Sequence, residues 1–549
     1  MKQNTRQLWP HLLVLLGLGL WTLVSYGPAL RGPFFFDDEH FIVRNEMVHS
    51  LDRITDIYSS AVTQGASIKG NFYRPNQQLA FAVLYHWFGT TTSLPYHLLQ
   101  ILLHVIAGCS LYLLFLQLGL GVLAAAFGAG VFLLHPVQTE AVAYISGLAD
   151  PLTAAFGLSA LALASRWVWS ATLRPAWTSL LALVSLLVLA LFTKENAVVF
   201  GPMLVLMLAA SAFAHGQIPG RRQTWTVAGA LLLSGLWVIL KLTVFQFGTG
   251  LGLTDASNAY TQSLALRLST FVSILWDYAK MIVWPADLFY EKPYRAYQDL
   301  TQWRGLFGLG ALTLAIAVLT QVRRWPRLSL GVGWFFAALL PFVGVVPLNA
   351  IFLEHWLYLP MVGVALGMAL LLQRGCYGAP LQAPAKVQRW AVVLFSFSLL
   401  LAASLRTHAR AAEWADVEAF YLGEIGHAPE PGRIYNNLGM YYADQHLEAK
   451  AIKYYQLAAD GPTGQLFAQP HHNLAVAYFN AGQAQNALAQ LKESLRVDPK
   501  FVYSLRLLQQ YFHQVQDDSR LHAVEQAIHD LESQGSYDYA AMDAVVFLP

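Results

Sequence analysis

Long apolar runs separated by short polar stretches make up the chain to about residue 405, after which shorter amphipathic, charged segments take over. Leu8 to Leu30 is long enough to cross ~30 Å of hydrocarbon as a helix. Further runs lie near 97–117, 119–135, 151–170, 177–193, 197–213, 224–244, 303–320, 328–348, 353–373 and 390–404, giving about eleven spans with the first. Two runs read differently. Leu79 to Phe88 is too short to span and reads as interfacial or re-entrant. Leu268 to Trp284 reads as a helix lying at or dipping into the outer surface, because a full crossing would export the cluster Arg323, Arg324 and Arg327. Lys2 and Arg6 precede the first run and no small-x-small cleavage site follows it, so it reads as an uncleaved anchor.

Composition agrees with this pattern. Hydrophobic residues make up 56% of the chain and charged residues 12%, against about 25% charged in soluble domains, and the mean hydropathy is +0.44. The formal net charge of +2 implies no polyanionic partner and no nucleic acid. Cys109 and Cys376 form neither a disulfide framework nor a metal motif. With a cytoplasmic N-terminus, Arg166, Arg174, Arg221, Arg222, Arg323, Arg324, Arg327, Arg374, Lys386 and Arg389 all fall on the cytoplasmic side. The same topology puts Asp37, Asp38, Tyr73, Arg74, His135, Glu140, Asp150, Lys194, Glu195, Glu354 and His355 at the non-cytoplasmic membrane edge. That mixture of acids, histidine and a few cations is of the kind that builds sites.

The acidic pair Asp37-Asp38 directly follows the first span, within Phe34-Phe35-Phe36-Asp37-Asp38-Glu39-His40. Adjacent carboxylates where a membrane helix meets water are costly to keep ionised, which points to chemistry on a lipid-borne substrate; acids that merely mark a helix end are the competing reading. Beyond 405, Tyr435-Asn436-Asn437-Leu438-Gly439 with Tyr442, Ala451, Tyr455 and Ala458 is echoed by Leu474, Ala475, Tyr478, Gly482, Ala487, Leu491 and Pro499. This is the small/large pattern of tetratricopeptide helix pairs, with a degraded third unit from Tyr503 to about Ser533. The expected layout is a membrane domain over 1–404 with a first outer loop at 31–95, a linker at 405–432, repeats at 433–533 and a tail at 534–549.

An ordered set of motifs carries a family resemblance. It comprises Phe36-Asp37-Asp38 with Ile42 and Asn45, Tyr73-Arg74-Pro75, Tyr96-His97-Leu98 with Leu103-His104, Leu134-His135-Pro136-Val137-Gln138-Thr139-Glu140-Ala141-Val142, Gly147-Leu148-Ala149-Asp150, Thr193-Lys194-Glu195, and Glu354-His355-Trp356-Leu357-Tyr358-Leu359-Pro360. Together with the repeats, these resemble the transmembrane and tetratricopeptide repeat-containing O-mannosyltransferases of the glycosyltransferase C superfamily. The resemblance implies an all-α, polytopic enzyme of about eleven spans followed by a tetratricopeptide α-solenoid. It also implies transfer of a sugar from a polyprenyl-phosphate carrier to an acceptor outside the cytoplasm. The superfamily's first-loop acidic pair matches Asp37-Asp38, with Asp38-Glu39 as an alternative register. His355 stands where many members carry Arg.

Such a reaction needs one carboxylate to take the acceptor hydroxyl's proton and cations to hold the departing phosphate. Asp37 or Asp38 suits the base. Arg74 and Lys194 are the phosphate candidates, against a lipid-headgroup anchor for Arg74 and a snorkelling lysine paired with Glu195 for Lys194. His135 reads equally as a ligand or as the neighbour of a helix terminator. Tyr73, Glu140, Asp150, Glu195, Glu354 and His355 complete the candidate set for donor phosphate and sugar. No zinc spacing occurs, so no dedicated zinc site is expected, with room for a loosely held divalent cation bridging Asp37 or Asp38 and a phosphate; the resemblance implies that no metal is required. Expected partners are the lipid-linked sugar donor, a protein or glycan acceptor, membrane lipids and a peptide or protein docked on the repeats. The absence of Asn-x-Ser/Thr sequons points to a bacterial inner membrane with periplasmic repeats. A lipid-linked glycan ligase or polymerase and a non-enzymatic repeat scaffold are the competing classes.

Overall fold

The computed structural model describes residues 2–66, 70, 72–169, 176–245, 259–292, 295–348, 350–377, 386–428 and 431–547; Arg174 lies outside them. All regular structure among the described residues is helical. The chain divides into two compact units, 1–416 and 417–549.

Among the described residues of the first unit, seven helices are long and apolar enough to cross a membrane, from Trp9–Arg31 to Lys386–Ala415. The pair Val122–Leu134 and Pro136–Ala143, bent by 49°, and the shorter apolar helices Trp177–Leu191, Pro326–Phe342 and Met361–Cys376 complete the eleven apolar segments expected from sequence. The bend has a local cause. Pro136 pushes the preceding residue out of helical geometry, and His135 is extended at φ −72°, ψ 130°. Glycines allow a close helix approach: a Cβ on Gly363 would run into the Gly331 carbonyl and one on Gly331 would crowd the Gly363 carbonyl, the small-residue contact common between membrane helices.

The two exceptional runs are helices of another kind. Pro75–Phe88 has 14 residues, about 21 Å of helix, too short to span. Leu264–Val283 has 20 residues but carries Arg267, Asp277 and Lys280. The Arg267 guanidinium binds the carbonyls of Gly344, Tyr260 and Thr261 at 2.5, 3.1 and 2.5 Å, and Asp277 pairs with Arg304 at 2.6 Å. Between the first and second spans, short helical turns fold into a lid. Ile42, Val48, Ile57, Val62, Phe81 and Tyr96 pack there against Ile145 and Leu148, and Asn45 ties the lid by donating to the Val62 and Phe41 carbonyls.

The last helix of the first unit runs Lys386–Ala415, 30 residues, about 45 Å and thus longer than the hydrocarbon is thick. The change of character near 405 therefore marks the expected membrane edge, while the unit boundary falls at 416 rather than 404. Residues 417–427, expected as linker, are helical.

The second unit contains helical hairpins: Gly432–Asp444 with Glu448–Asp460, Gln469–Asn480 with Ala484–Val497, and Val502–Gln514 with Asp518–Gln534. Each turns on a left-handed residue: His446 at φ 57°, Gly482 at 73° and Gln516 at 59°, spaced 36 and 34 residues apart. Only glycine is at ease there. His446→Gly and Gln516→Gly should each stabilise this unit by about 0.5–1 kcal/mol, read as greater amide-exchange protection of 432–534 in the full chain; unchanged or lower protection would contradict the strain.

Candidate active site

The acidic pair sits on a strained turn. Phe36 has φ 59°, a left-handed conformation costing a bulky residue about 1–3 kcal/mol. The Asp38 amide donates to the Phe35 carbonyl at 3.2 Å, and a π-helical turn, Glu39–Val43, follows. The two carboxylates are placed differently. Asp38 is fully buried. Its Oδ1 accepts from the Ser146 amide at 2.8 Å and hydroxyl at 2.5 Å, and its Oδ2 from the Phe35 amide at 3.2 Å. Asp37 is half-buried, and its backbone N–H donates to the Tyr144 hydroxyl at 2.9 Å. The opposing turn is held in place by Gln77, which donates to the Ser146 carbonyl at 2.8 Å, and by Gln100, which donates to the carbonyls of Tyr144 and Ala141 at 2.5 and 3.1 Å.

Burial outweighs these hydrogen bonds and pushes the Asp38 carboxyl up to about 7 from 3.8. Burial likewise lowers the His40 imidazole. For Asp38 the folded state binds more protons than the unfolded chain between those two values, so its contribution to stability is complete below about 3.8 and is lost as pH rises through about 7. The thermal midpoint of the wild type should therefore fall between about pH 4 and 7 more steeply than that of Asp38→Asn. Equal slopes would show that Asp38 does not titrate there.

Aromatic rings surround the pair. Phe36 meets Tyr290 edge-on at 5.1 Å and Tyr144 at 6.1 Å, and Trp414 stacks on Tyr144 at 5.2 Å while also touching Phe35 at 6.0 Å and Tyr290 at 5.9 Å. Beyond this shell lies a buried ionic network. The Arg410 guanidinium is 5.8 Å from the Trp414 ring and pairs with Glu413 at 2.6 Å. Glu354 accepts from Lys292 at 3.0 Å, with Arg410 at 3.8 Å on the same oxygen, and its Oε2 is buried without a partner. His355 donates to Glu140 through its backbone amide at 3.0 Å and its Nδ1 at 2.6 Å. Glu354, His355 and Glu140 were singled out from sequence; Lys292, Arg410, Tyr144, Tyr290 and Trp414 were not.

Of the remaining candidates, Tyr73, Arg74, Asp150, Lys194 and Glu195 form a second, mostly self-neutralised group. Lys194 is buried and bonds both Asp150 oxygens at 2.7 Å, so its ion partner is Asp150 and not Glu195. Glu195 instead accepts from Arg74 Nε at 3.1 Å and from the Tyr73 amide at 3.1 Å. The Tyr73 ring stacks on Phe245 at 4.1 Å. His135 accepts from the Val137 amide through Nδ1 at 3.2 Å, so Nε2 carries the proton that it donates to the Ile282 carbonyl at 2.9 Å. Both of its nitrogens hold backbone. Among the described residues no group of three or more His, Cys, Asp or Glu is arranged to hold a metal ion.

Fold and site define a multispan helical membrane protein with an acidic pair on its first long loop. Its curated relatives are TMTC-family protein O-mannosyl-transferases, as the motifs led one to expect. One from Caenorhabditis elegans is 25% identical over 460 residues, covering 81% of this chain and 62% of the relative. Protein O-mannosyl-transferase TMTC4 of Mus musculus is 25% identical over 508 residues, covering 82% and 66%. The chain thus spans less than two thirds of the length of these relatives. No family model matches it. A solved oligosaccharyltransferase of Archaeoglobus fulgidus, tethered with an acceptor peptide, is similar at 12% identity and a TM-score of 0.40, covering 81% of this chain and 59% of that one.

Proposed function

We propose that the chain is a glycosyltransferase that moves a sugar, mannose by its relatives' names, from a polyprenyl-phosphate carrier to a hydroxyl of a protein on the non-cytoplasmic side of a cell inner membrane. The observation that carries this reading is the asymmetry of the acidic pair. Asp38 is buried and spent on the Ser146 turn, which locks the loop, while Asp37 beside it is only half-buried. Asp37 is then the base that takes the acceptor proton as the sugar transfers with inversion, and Asp38 positions it. Arg410 and Lys292, which share one Glu354 oxygen and reach the aromatic shell through the Arg410–Trp414 contact, are the cations assigned to the departing phosphate in place of Lys194, which lies in the Asp150 pair. This assignment needs no metal. The hairpins, read as tetratricopeptide repeats, dock an extended acceptor peptide along their inner face.

The test is transfer of mannose from a polyprenyl-phosphate mannose to hydroxyl-bearing peptides by the purified chain, alongside a chain truncated after residue 416. Transfer by the full chain, with slow donor hydrolysis surviving truncation while peptide transfer weakens, supports both assignments. An inactive full chain that leaves the donor intact would overturn the enzyme reading in favour of a scaffold.

A further inference from the structure

The mechanism uses the acids and cations of the cluster but leaves Phe36 unused, although it is the first unit's one described non-glycine residue with a left-handed backbone. The strain has a geometric result. The turn sets Phe36 and Asp37 against the same tyrosine, the Asp37 N–H on the Tyr144 hydroxyl at 2.9 Å and the Phe36 ring 6.1 Å from the Tyr144 ring; both residues are half-buried, and the half-buried ring of Tyr290 is edge-on to Phe36 at 5.1 Å. Glycine would adopt this turn without strain, so packing on Tyr144 and Tyr290 must hold a large ring where the backbone resists one. Strain held by its surroundings is concentrated at ligand-contacting positions. The rest of the shell is closed: Tyr144 and Trp414 are buried, as is Phe35. The partly exposed aromatic residues of the cluster are therefore Phe36 and Tyr290, beside the half-buried Asp37. That is the chemistry of a pyranose site, in which the apolar C–H face of a sugar lies on aromatic carbon while its hydroxyls donate to an acid.

We propose that Phe36 and Tyr290 form the platform on which the sugar of the lipid-linked donor stacks beside Asp37, making Phe36 a determinant of recognition of the sugar as opposed to its lipid carrier. This rests on the glycosyltransferase reading and names the sugar contact within it. The platform is apolar carbon whereas a phosphate is held by cations, so loss of the Phe36 ring should act on the sugar and not on the phosphate.

The experiment measures binding of polyprenyl-phosphate mannose and of bare polyprenyl phosphate to the full chain in lipid nanodiscs, next to a mannose-transfer assay. Phe36→Leu, apolar but without a ring, should weaken binding of the mannosylated carrier about fivefold to tenfold and leave bare carrier binding unchanged. Phe36→Tyr, which restores a ring, should regain most of the preference. Phe36→Gly relieves the backbone strain; it should lose the preference as Phe36→Leu does while unfolding at no lower temperature than Phe36→Leu, which separates loss of the ring from loss of the fold. The proposal is overturned if Phe36→Leu keeps the wild-type preference for the mannosylated carrier, or if the wild type shows no such preference. A preference that depends on Phe36 in a protein that transfers no mannose would leave the platform standing and remove the transferase reading alone.

Discussion

Asp37→Asn should lower mannose transfer by roughly 10²–10⁴-fold, the usual loss when a general base is removed, while donor binding persists. The amide keeps the shape of the side chain but cannot accept the acceptor's proton. Its backbone N–H bond to Tyr144 is untouched, so the turn should keep its form. Asp38→Asn should behave differently. It replaces one accepting oxygen with a donor in a pocket of donors, Ser146 and Phe35, and so loosens the loop, changing apparent acceptor affinity and heat stability more than turnover. Steady-state kinetics on purified variants with polyprenyl-phosphate mannose separate the two. Near-normal turnover by Asp37→Asn would remove Asp37 as the base, and the same result for both variants would sink acid–base chemistry on this loop.

The spans were legible because about 20 consecutive apolar residues admit one interpretation in a bilayer, and the acidic pair because it follows such a span directly. Partnerships were not. Lys194 sits beside Glu195 in the chain, yet its carboxylate comes from Asp150, 44 residues away in sequence. Strand-like or extended backbone around Lys194, at φ −153°, sends successive side chains to opposite sides, so neighbours in sequence part company. Arg410 was missed for another reason. The polarity change at 405 looks like a domain edge, whereas the helix continues to Ala415 and carries Arg410 and Trp414 to the acidic loop. Its i,i+4 spacing, which puts both residues on one face, was the available signal. Lys292 lies in a loop that no periodicity marks.

The buried Lys194–Asp150 pair decides between two roles for this lysine, and the second large effect is expected here. If the ammonium is structural, Asp150→Asn strands an uncompensated charge in a site where the two side chains are 5% and 3% exposed, and should cost about 3–5 kcal/mol of stability. Lys194→Met should cost a similar amount by stranding the carboxylate. The double variant Asp150→Leu with Lys194→Met removes both charges and should recover most of the loss, because two apolar side chains avoid the desolvation that each ion alone cannot offset. Fluorescence-detected thermal unfolding of the solubilised chain reads this directly, with donor binding measured on the same samples below the transition. A phosphate-holding lysine gives the opposite pattern: Lys194→Met would weaken donor binding with little change in unfolding temperature, and the double variant would fold well but not regain the donor. Because Asp150 engages the ammonium through both oxygens at 2.7 Å, any phosphate would have to displace a matched carboxylate from a closed site. Stability, and not donor affinity, should therefore move.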